Sequence, residues 1–347
     1  MTRLESLAEQ LQEPLLVTNL VNVQYLTGFE SSNAAVLVRP GGEATLYTDF
    51  RYAEAASGVP GVRVEMVRRD LMIAVGGQIG SGRLQFEADM LPYLEWERLG
   101  AGGAELVPTK GIVAALRAVK SEEEVAKLRR AARIADRALE ALTAETWVGR
   151  TEKQIAWRLR ELTHAHGADD LSFDSIVASG PNGSLPHADP SDDLVEKSTL
   201  VTIDWGVRVD GYCSDCTRTF STGGVLPERL REAYDVCLDA QKSAVAGIRA
   251  GLTGVEADAL ARDPIEAAGF GESFGHGLGH GVGLQVHEAP RLSRESEDTL
   301  EAGHCVTIEP GIYLPGLGGV RIEDLAIVRD DGVDVLTSFP KELIEVG

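Results

Sequence analysis

Residues 274–288 read FGHGLGHGVGLQVHE, and the rest of the chain is organised around them. The run holds His276, His280 and His287, three of the seven histidines, with no Lys, Arg or Asp and a glutamate, Glu288, only at its end. Histidines at i and i+4 would share a helix face, as in the zincin motif. Here, though, Gly275, Gly277, Gly279, Gly281 and Gly283 would each cost about 1 kcal/mol in a helix. An extended segment fits better, because glycine admits a close backbone approach that a Cβ would exclude. Alternation then predicts His276 and His280 on one face and His287 on the other, unless a bulge intervenes. For any one of these histidines alone, a satisfied place in a Gly-rich loop is the simpler reading. Three within twelve residues of otherwise apolar sequence point to a site.

On the C-terminal side, VTIEPG (306–311) and VRIED (320–324) each set a glutamate, Glu309 and Glu323, inside an apolar β run. On the N-terminal side, residues 200–207 and 212–220 predict two strands joined by Arg208-Val209-Asp210-Gly211. A four-residue loop would set Asp204 opposite Asp215, whereas a tight Asp210-Gly211 turn would set it opposite Thr217. Both registers leave the two aspartates on one face, because the side-chain period is two. Like charges so close repel unless a cation lies between them. Val201, Ile203 and Trp205 around Asp204 point to burial, where an unpaired carboxylate is costly. Upstream, residues 173–179 are strand-like and lead into GPNGSLPH, a structured loop ending at His187.

The helices that frame these stretches are marked by their caps. Ser121 with Glu124 forms a capping box, after which Val125, Leu128, Ala132, Ala135, Leu139 and Leu142 recur at helical spacing. A second box, Thr151 with Gln154, starts another helix that Gly167 is placed to end, with His164 and His166 suited to its last turn. Pro227 suits the first turn of a helix running to Ala250, and a weaker helix over 254–268 is expected to bend at Pro264. Before Lys120 the chain is of another kind. Residues 15–20, 34–39, 44–49 and 62–67 predict strands, 51–57 a helix, and Pro40-Gly41-Gly42 a hairpin turn. This stretch has neither histidine nor cysteine, so it is expected to shape or pair rather than catalyse.

Composition agrees with two domains, since 347 residues exceed one typical core. A net charge of −21 argues against nucleic acid or an anionic membrane as partner, because both need a basic face. Glu5 and Glu9 stand where a signal peptide would need an apolar core, which predicts a cytoplasmic protein. Four cysteines are too few for a disulfide framework, and Cys213-x-x-Cys216, in β-type sequence without a second pair, reads as core packing.

Asp204, Asp215, His280, Glu309 and Glu323 together offer four carboxylates and one imidazole. Hard oxygen donors with a single imidazole suit two divalent ions of the manganese, cobalt or iron type, and such a pair serves hydrolysis. With SGPNGSLPHA, VTIDWGVRVDGYCSDCTRTF, FGHGLGHGVGLQVHEAPRLS and VTIEPGIYLPGLGGVRIED, and with YLTGF and LYTDFRYAEA earlier, the chain resembles the pita-bread metallopeptidases (peptidase family M24). That family includes methionine aminopeptidase, aminopeptidase P and prolidase, and the likeness is strongest to its Xaa-Pro branch.

The resemblance implies an α+β fold. A C-terminal pita-bread (creatinase/aminopeptidase) domain over 120–347 would follow a smaller α/β creatinase/prolidase N-terminal domain over 1–119. It implies Asp204, Asp215, His280, Glu309 and Glu323 as ligands of two divalent ions per subunit, Mn(II) first, with Co(II), Zn(II) or Fe(II) as alternatives. Asp215 and Glu323 would bridge, and Glu309 would also shuttle protons. His287 would steady the carbonyl oxygen, His276 and His187 would contact substrate around the scissile bond, and Arg321 and Arg291 would serve its C-terminal side. A homodimer is implied as well. The expected reaction is hydrolysis of Xaa-Pro bonds, in dipeptides first, with aminopeptidase P action on longer peptides as the alternative. A non-catalytic peptide-binding member, or a metal-free creatinase-like hydrolase, would be expected to lack this carboxylate set.

Overall fold

Residues 2–347 are described by a computed structural model, in which the chain divides into two units, one ending at Arg117 and the other Ala118–Gly347. The first contains helices α1 (Arg3–Ala8), α2 (Leu20–Thr27), α3 (Ala53–Ser57), α4 (Leu71–Ile79), α5 (Tyr93–Gly100) and all but the last residue of α6 (Ile112–Ala118). Its strands β1 (Leu15–Val17), β2 (Ala34–Val38), β3 (Ala44–Thr48), β4 (Arg63–Met66), β5 (Arg83–Glu87) and β6 (Glu105–Thr109) form one sheet, in the order β4-β3-β2-β1-β5-β6. The β2–β3 hairpin turns at Gly41 and Gly42, both at positive φ. The strand expected over 15–20 stops at Val17. The Asn19 side chain takes the Val21 N–H and opens α2, while the Thr18 and Asn19 N–H groups donate to Glu87. Residues 51–57 are helical only from Ala53, after a single 3-10 turn over Phe50–Tyr52.

The second unit opens with α7 (Glu122–Thr143) and α8 (Glu152–Ala165), and both expected capping boxes are formed. Strands β7 (Asp170–Leu171), β8 (Ile176–Ser179), β9 (Leu200–Trp205), β10 (Val207–Val209), β11 (Tyr212–Cys213) and β12 (Cys216–Ser221) follow, so the strand expected from 173 begins at Ile176. Next come α9 (Glu228–Gly247) and α10 (Gly254–Ala267). The last strands are β13 (Gly279–Gly281), β14 (Glu288–Leu292), β15 (Cys305–Ile308), β16 (Gly311–Leu314), β17 (Gly318–Arg321), β18 (Asp324–Arg329) and β19 (Gly332–Val335). The sheets that matter for the site are β12-β9-β8, β14-β13-β15-β18-β19 and the hairpin β16-β17.

Two cores hold these sheets. Leu139, Leu142, Trp147, Ile155 and Leu159 pack with Val201, Ile203, Trp205 and Phe220, so α7 and α8 cover β9 and β12. Tyr234, Cys237, Ala257, Ala261 and Ile265 pack with Val306, Ile308, Val320 and Ala326, so α9 and α10 cover β15, β17 and β18. The buried indoles are satisfied, Trp147 by the Leu142 carbonyl and Trp205 by that of Ala135. Helix α9 ends at Gly247, three residues before the expected Ala250, and α10 runs through Pro264 without interruption. Its buried positions Ala257, Ala261 and Ile265 keep one apolar face continuous past the proline, and Arg262 ties it to the Phe274 and His276 carbonyls. All four cysteines are buried free thiols, in keeping with core packing. Among the described residues, no helix is long and apolar enough to cross a membrane.

Candidate metal centre

The β9–β12 hairpin takes the tight turn. Asp210 and Gly211 have φ of 52° and 82°, and Thr217 pairs with Asp204. Gly206 is held close to Ser214, where a Cβ would sit 2.0 Å from the carbonyl oxygen. Asp215 follows directly and faces the same way as Asp204.

Glu309 and Glu323 were expected inside strands, but they occupy the breaks after β15 and β17. Pro310 can donate no ladder hydrogen bond, and the two glutamates' own N–H groups leave for other partners: Glu309 for the Leu278 carbonyl (2.8 Å), Glu323 for that of Thr217 (3.1 Å). These cross-links bring the separate sheets to one point. Asp204, Asp215 and Glu323 offer oxygens all within 4.8 Å of one another. His280 Nε2 lies 3.7 Å from Asp215 Oδ2 and 3.3 Å from Glu309 Oε1, so the five residues form a single cluster.

Burial pushes Asp215 and Glu323 well above the usual carboxylate range, and the neighbouring carboxylates push further. Burial also raises Asp204, against the pull of Arg321. Glu309 goes the other way: burial would raise it, but the hydrogen bond and charge of His280 hold it well below its ordinary value. A cluster that resists carrying its full negative charge needs positive charge among the oxygens. Two buried acceptors, Asp204 Oδ1 and Glu323 Oε1, have no hydrogen-bond partner. Four oxygen donors, one imidazole and two free buried lone-pair sites fit divalent cations.

The histidine stretch is extended only over β13, and the bulge that alternation left open is present. His280 pairs with Arg291 but Gly281 with Glu288, so Ala289 and Pro290 lie outside the ladder. The backbone crowds here, for a Cβ on Gly281 would lie 2.1 Å from the Ala289 oxygen, and one on Gly279 2.1 Å from that of Thr307. The bulge and the turn before it bring His287 to the His280 side, ring centroids 4.3 Å apart. His280 Nδ1 donates to the Gly281 carbonyl, which leaves Nε2 facing the carboxylates.

His276 does not share this arrangement. Nδ1 donates to the Gly277 carbonyl, Nε2 accepts from the Tyr313 hydroxyl (2.9 Å), and burial lowers its pKa, so the ring is neutral and engaged at both nitrogens. Arg321 departs further from its expected role. Only 4% exposed, it donates to Asp204 Oδ2 (2.6 Å), Tyr313 OH, Thr217 Oγ1 and the Pro186 carbonyl. A guanidinium so committed positions Asp204 and the loop before His187; it is not free for a substrate. His187 and Arg291 remain exposed, and Arg291 lies across the ladder from His280, on the same face.

Three residues were not singled out in the sequence. Thr217 Oγ1 donates to Glu323 Oε2 (2.7 Å), Thr307 Oγ1 to Glu309 Oε1 (3.0 Å), and the Tyr313 hydroxyl joins His276 to Arg321. The signal for the threonines was period two, since each stands two residues from a predicted ligand on its own segment.

Comparison with known proteins agrees with this geometry. Residues 126–330 match the model of metallopeptidase family M24, and residues 3–119 match that of the creatinase/prolidase N-terminal domain. The chain is 44% identical to an uncharacterised peptidase, YqhT, of Bacillus subtilis (strain 168), over 95% of both chains. It superposes on an Xaa-Pro dipeptidase from Bacillus anthracis with a TM-score of 0.95 at 40% identity, over 99% of this chain and 98% of that one. An X-Pro aminopeptidase from Thermotoga maritima gives 0.88 at 32% identity, over 96% and 97%. With its smaller N-terminal unit, its pita-bread unit and a clustered carboxylate–imidazole set, the chain belongs to metallopeptidase family M24.

Proposed function

We propose that the protein hydrolyses the bond between an N-terminal residue and proline, with Xaa-Pro dipeptides as its first substrates, using two divalent ions held by Asp204, Asp215, His280, Glu309 and Glu323. The observation that carries this reading is the carboxylate–imidazole cluster, with its two buried acceptor oxygens that have no hydrogen-bond partner. Bound there, the ions would polarise the scissile carbonyl and lower the pKa of the attacking water. Manganese is the proposed metal and a homodimer the proposed assembly, both on the family resemblance.

The protein's own groups do the rest. Glu309 takes the water's proton and returns it to the proline nitrogen as the C–N bond breaks. His287 is neutral near pH 7, since burial and then the neighbouring His280 lower its pKa, and it donates to the carbonyl oxygen as charge develops there. Arg291, exposed on the His280 face, receives the carboxylate that ends a dipeptide, and His187 contacts the substrate beside it.

The second reading, an aminopeptidase P, is supported by the likeness to the Thermotoga X-Pro aminopeptidase. Metal-stripped protein should be inactive on Ala-Pro and recover with Mn(II), at two ions per chain by elemental analysis. Turnover of Ala-Pro-Ala well above that of Ala-Pro would favour the second reading, and full activity without metal would overturn both.

A further inference from the structure

Behind the turn that carries His287 lies a buried ion pair that none of the proposed chemistry uses. Lys120 Nζ is 3.3 Å from Glu288 Oε2, with side chains 1% and 5% exposed, and it also donates to the Ala118 carbonyl (3.1 Å). Such pairs are weak evidence for stability, since desolvation offsets much of the attraction, and their best-attested use is to fix a register. The surroundings of Glu288 show which register. Its other oxygen, Oε1, accepts the Gln285 N–H (2.9 Å), and the Gly283 N–H reaches the Gln285 carbonyl (2.9 Å). A Cβ on Gly283 would lie 2.6 Å from Glu288 Oε2, so the turn is wrapped directly over the carboxylate. The turn is fastened to β11 as well, by Cys213 N–H to the Gly283 carbonyl (2.8 Å), and Lys120 is fastened by its own N–H to that of Gly303 (2.9 Å).

Glu288 opens β14 and His287 immediately precedes it, so their side chains point to opposite sides of the backbone. The pair that draws Glu288 inward therefore turns His287 outward, against His280. We infer that Lys120 and Glu288 are positioning residues whose ion pair sets the place of the His287 ring for catalysis. The inference rests on the proposed role of His287 at the carbonyl oxygen. It goes beyond that role by assigning the charge that holds the histidine.

The test is a double-mutant cycle in the full-length Mn(II)-loaded protein, reading kcat and KM on Ala-Pro, with metal content alongside. His287→Ala should lower kcat about 10²-fold. Lys120→Met should lower kcat about ten- to hundred-fold, with KM and two-ion content unchanged, because a misplacement near 1 Å carries that scale of loss. In the His287→Ala background Lys120→Met should cost less than about twofold, and Lys120→Arg should restore part of the activity. Glu288→Gln, which keeps the acceptor for Gln285, repeats the cycle if Lys120→Met fails to fold. Equal losses in both backgrounds, or loss of metal with loss of rate, would overturn the inference. If His287→Ala itself leaves kcat intact, the proposed role of His287 fails instead.

Discussion

Arg291 stands directly across the β13–β14 ladder from His280 and is exposed, which supports its proposed role at the end of a substrate. Replacing it with Ala should cost a dipeptide a charge-assisted hydrogen bond of about 1.5–3 kcal/mol, or roughly ten- to hundred-fold in kcat/KM. A tripeptide presents an amide there and should lose far less. Comparing Ala-Pro with Ala-Pro-Ala in wild type and Arg291→Ala checks this; equal losses would assign Arg291 to the fold. Arg321 carries the contrasting lesson. A basic residue beside a proposed ligand glutamate looks the same in sequence whether it meets substrate or Asp204, because its four acceptors lie on separate strands and loops.

At the scale of elements, Glu152 joins a helix to a functional loop. Fully buried at the first turn of α8, it accepts from Ser179 N–H (2.6 Å) and Oγ (2.9 Å), Asn182 Nδ2 (2.7 Å) and Ser191 N–H (2.8 Å), on both sides of the loop that ends at His187. Glu152→Ala would strand several buried donors and should cost on the order of 3 kcal/mol, read as a lowered urea midpoint. KM should rise as well, through the loosened His187. The boxes that start α7 and α8 were legible because capping is local in sequence. The unbroken course of α10 through Pro264 was not, because what holds it is tertiary: its buried face and the bonds from Arg262 to the histidine stretch. The β13–β14 bulge was likewise illegible beyond its possibility, since register is set between strands.

For the whole molecule, the carboxylate cluster sets function against stability. Burial first, and then the other carboxylates, raise the folded-state pKa of Asp215 and Glu323. A raised acid binds more protons folded than unfolded, so its contribution is fully present below the unfolded value, near pH 4, and is lost as pH climbs towards the folded value. Metal-free protein should therefore melt lower as pH rises from about 4 towards neutrality, and adding Mn(II) should reverse the trend by binding the folded state alone. Asp215→Asn removes one charge from the cluster. It should abolish turnover and reduce metal content, yet raise the metal-free Tm at pH 7 by on the order of 2–4 °C. Scanning calorimetry of both proteins, with and without metal, checks the sign; a lower Tm for metal-free Asp215→Asn would contradict it. The five cluster residues were legible in sequence by type and period, whereas the breaks that seat Glu309 and Glu323 depend on bonds from Leu278 and Thr217 in other strands.

The crowding along β13 has a consequence for how the stretch tolerates change. At Gly279 and Gly281 the space for a methyl group is already filled by carbonyl oxygens of neighbouring segments, whereas at Gly275 nothing lies within 4 Å. A library of single alanine replacements should thus return a staggered record, with Gly275→Ala retained among active clones and Gly279→Ala and Gly281→Ala depleted. The four glycines of FGHGLGHG, which look interchangeable, divide into one spacer, Gly275, and three that gauge the clearance to neighbouring segments, a Cβ on Gly277 lying 2.7 Å from the Leu292 oxygen.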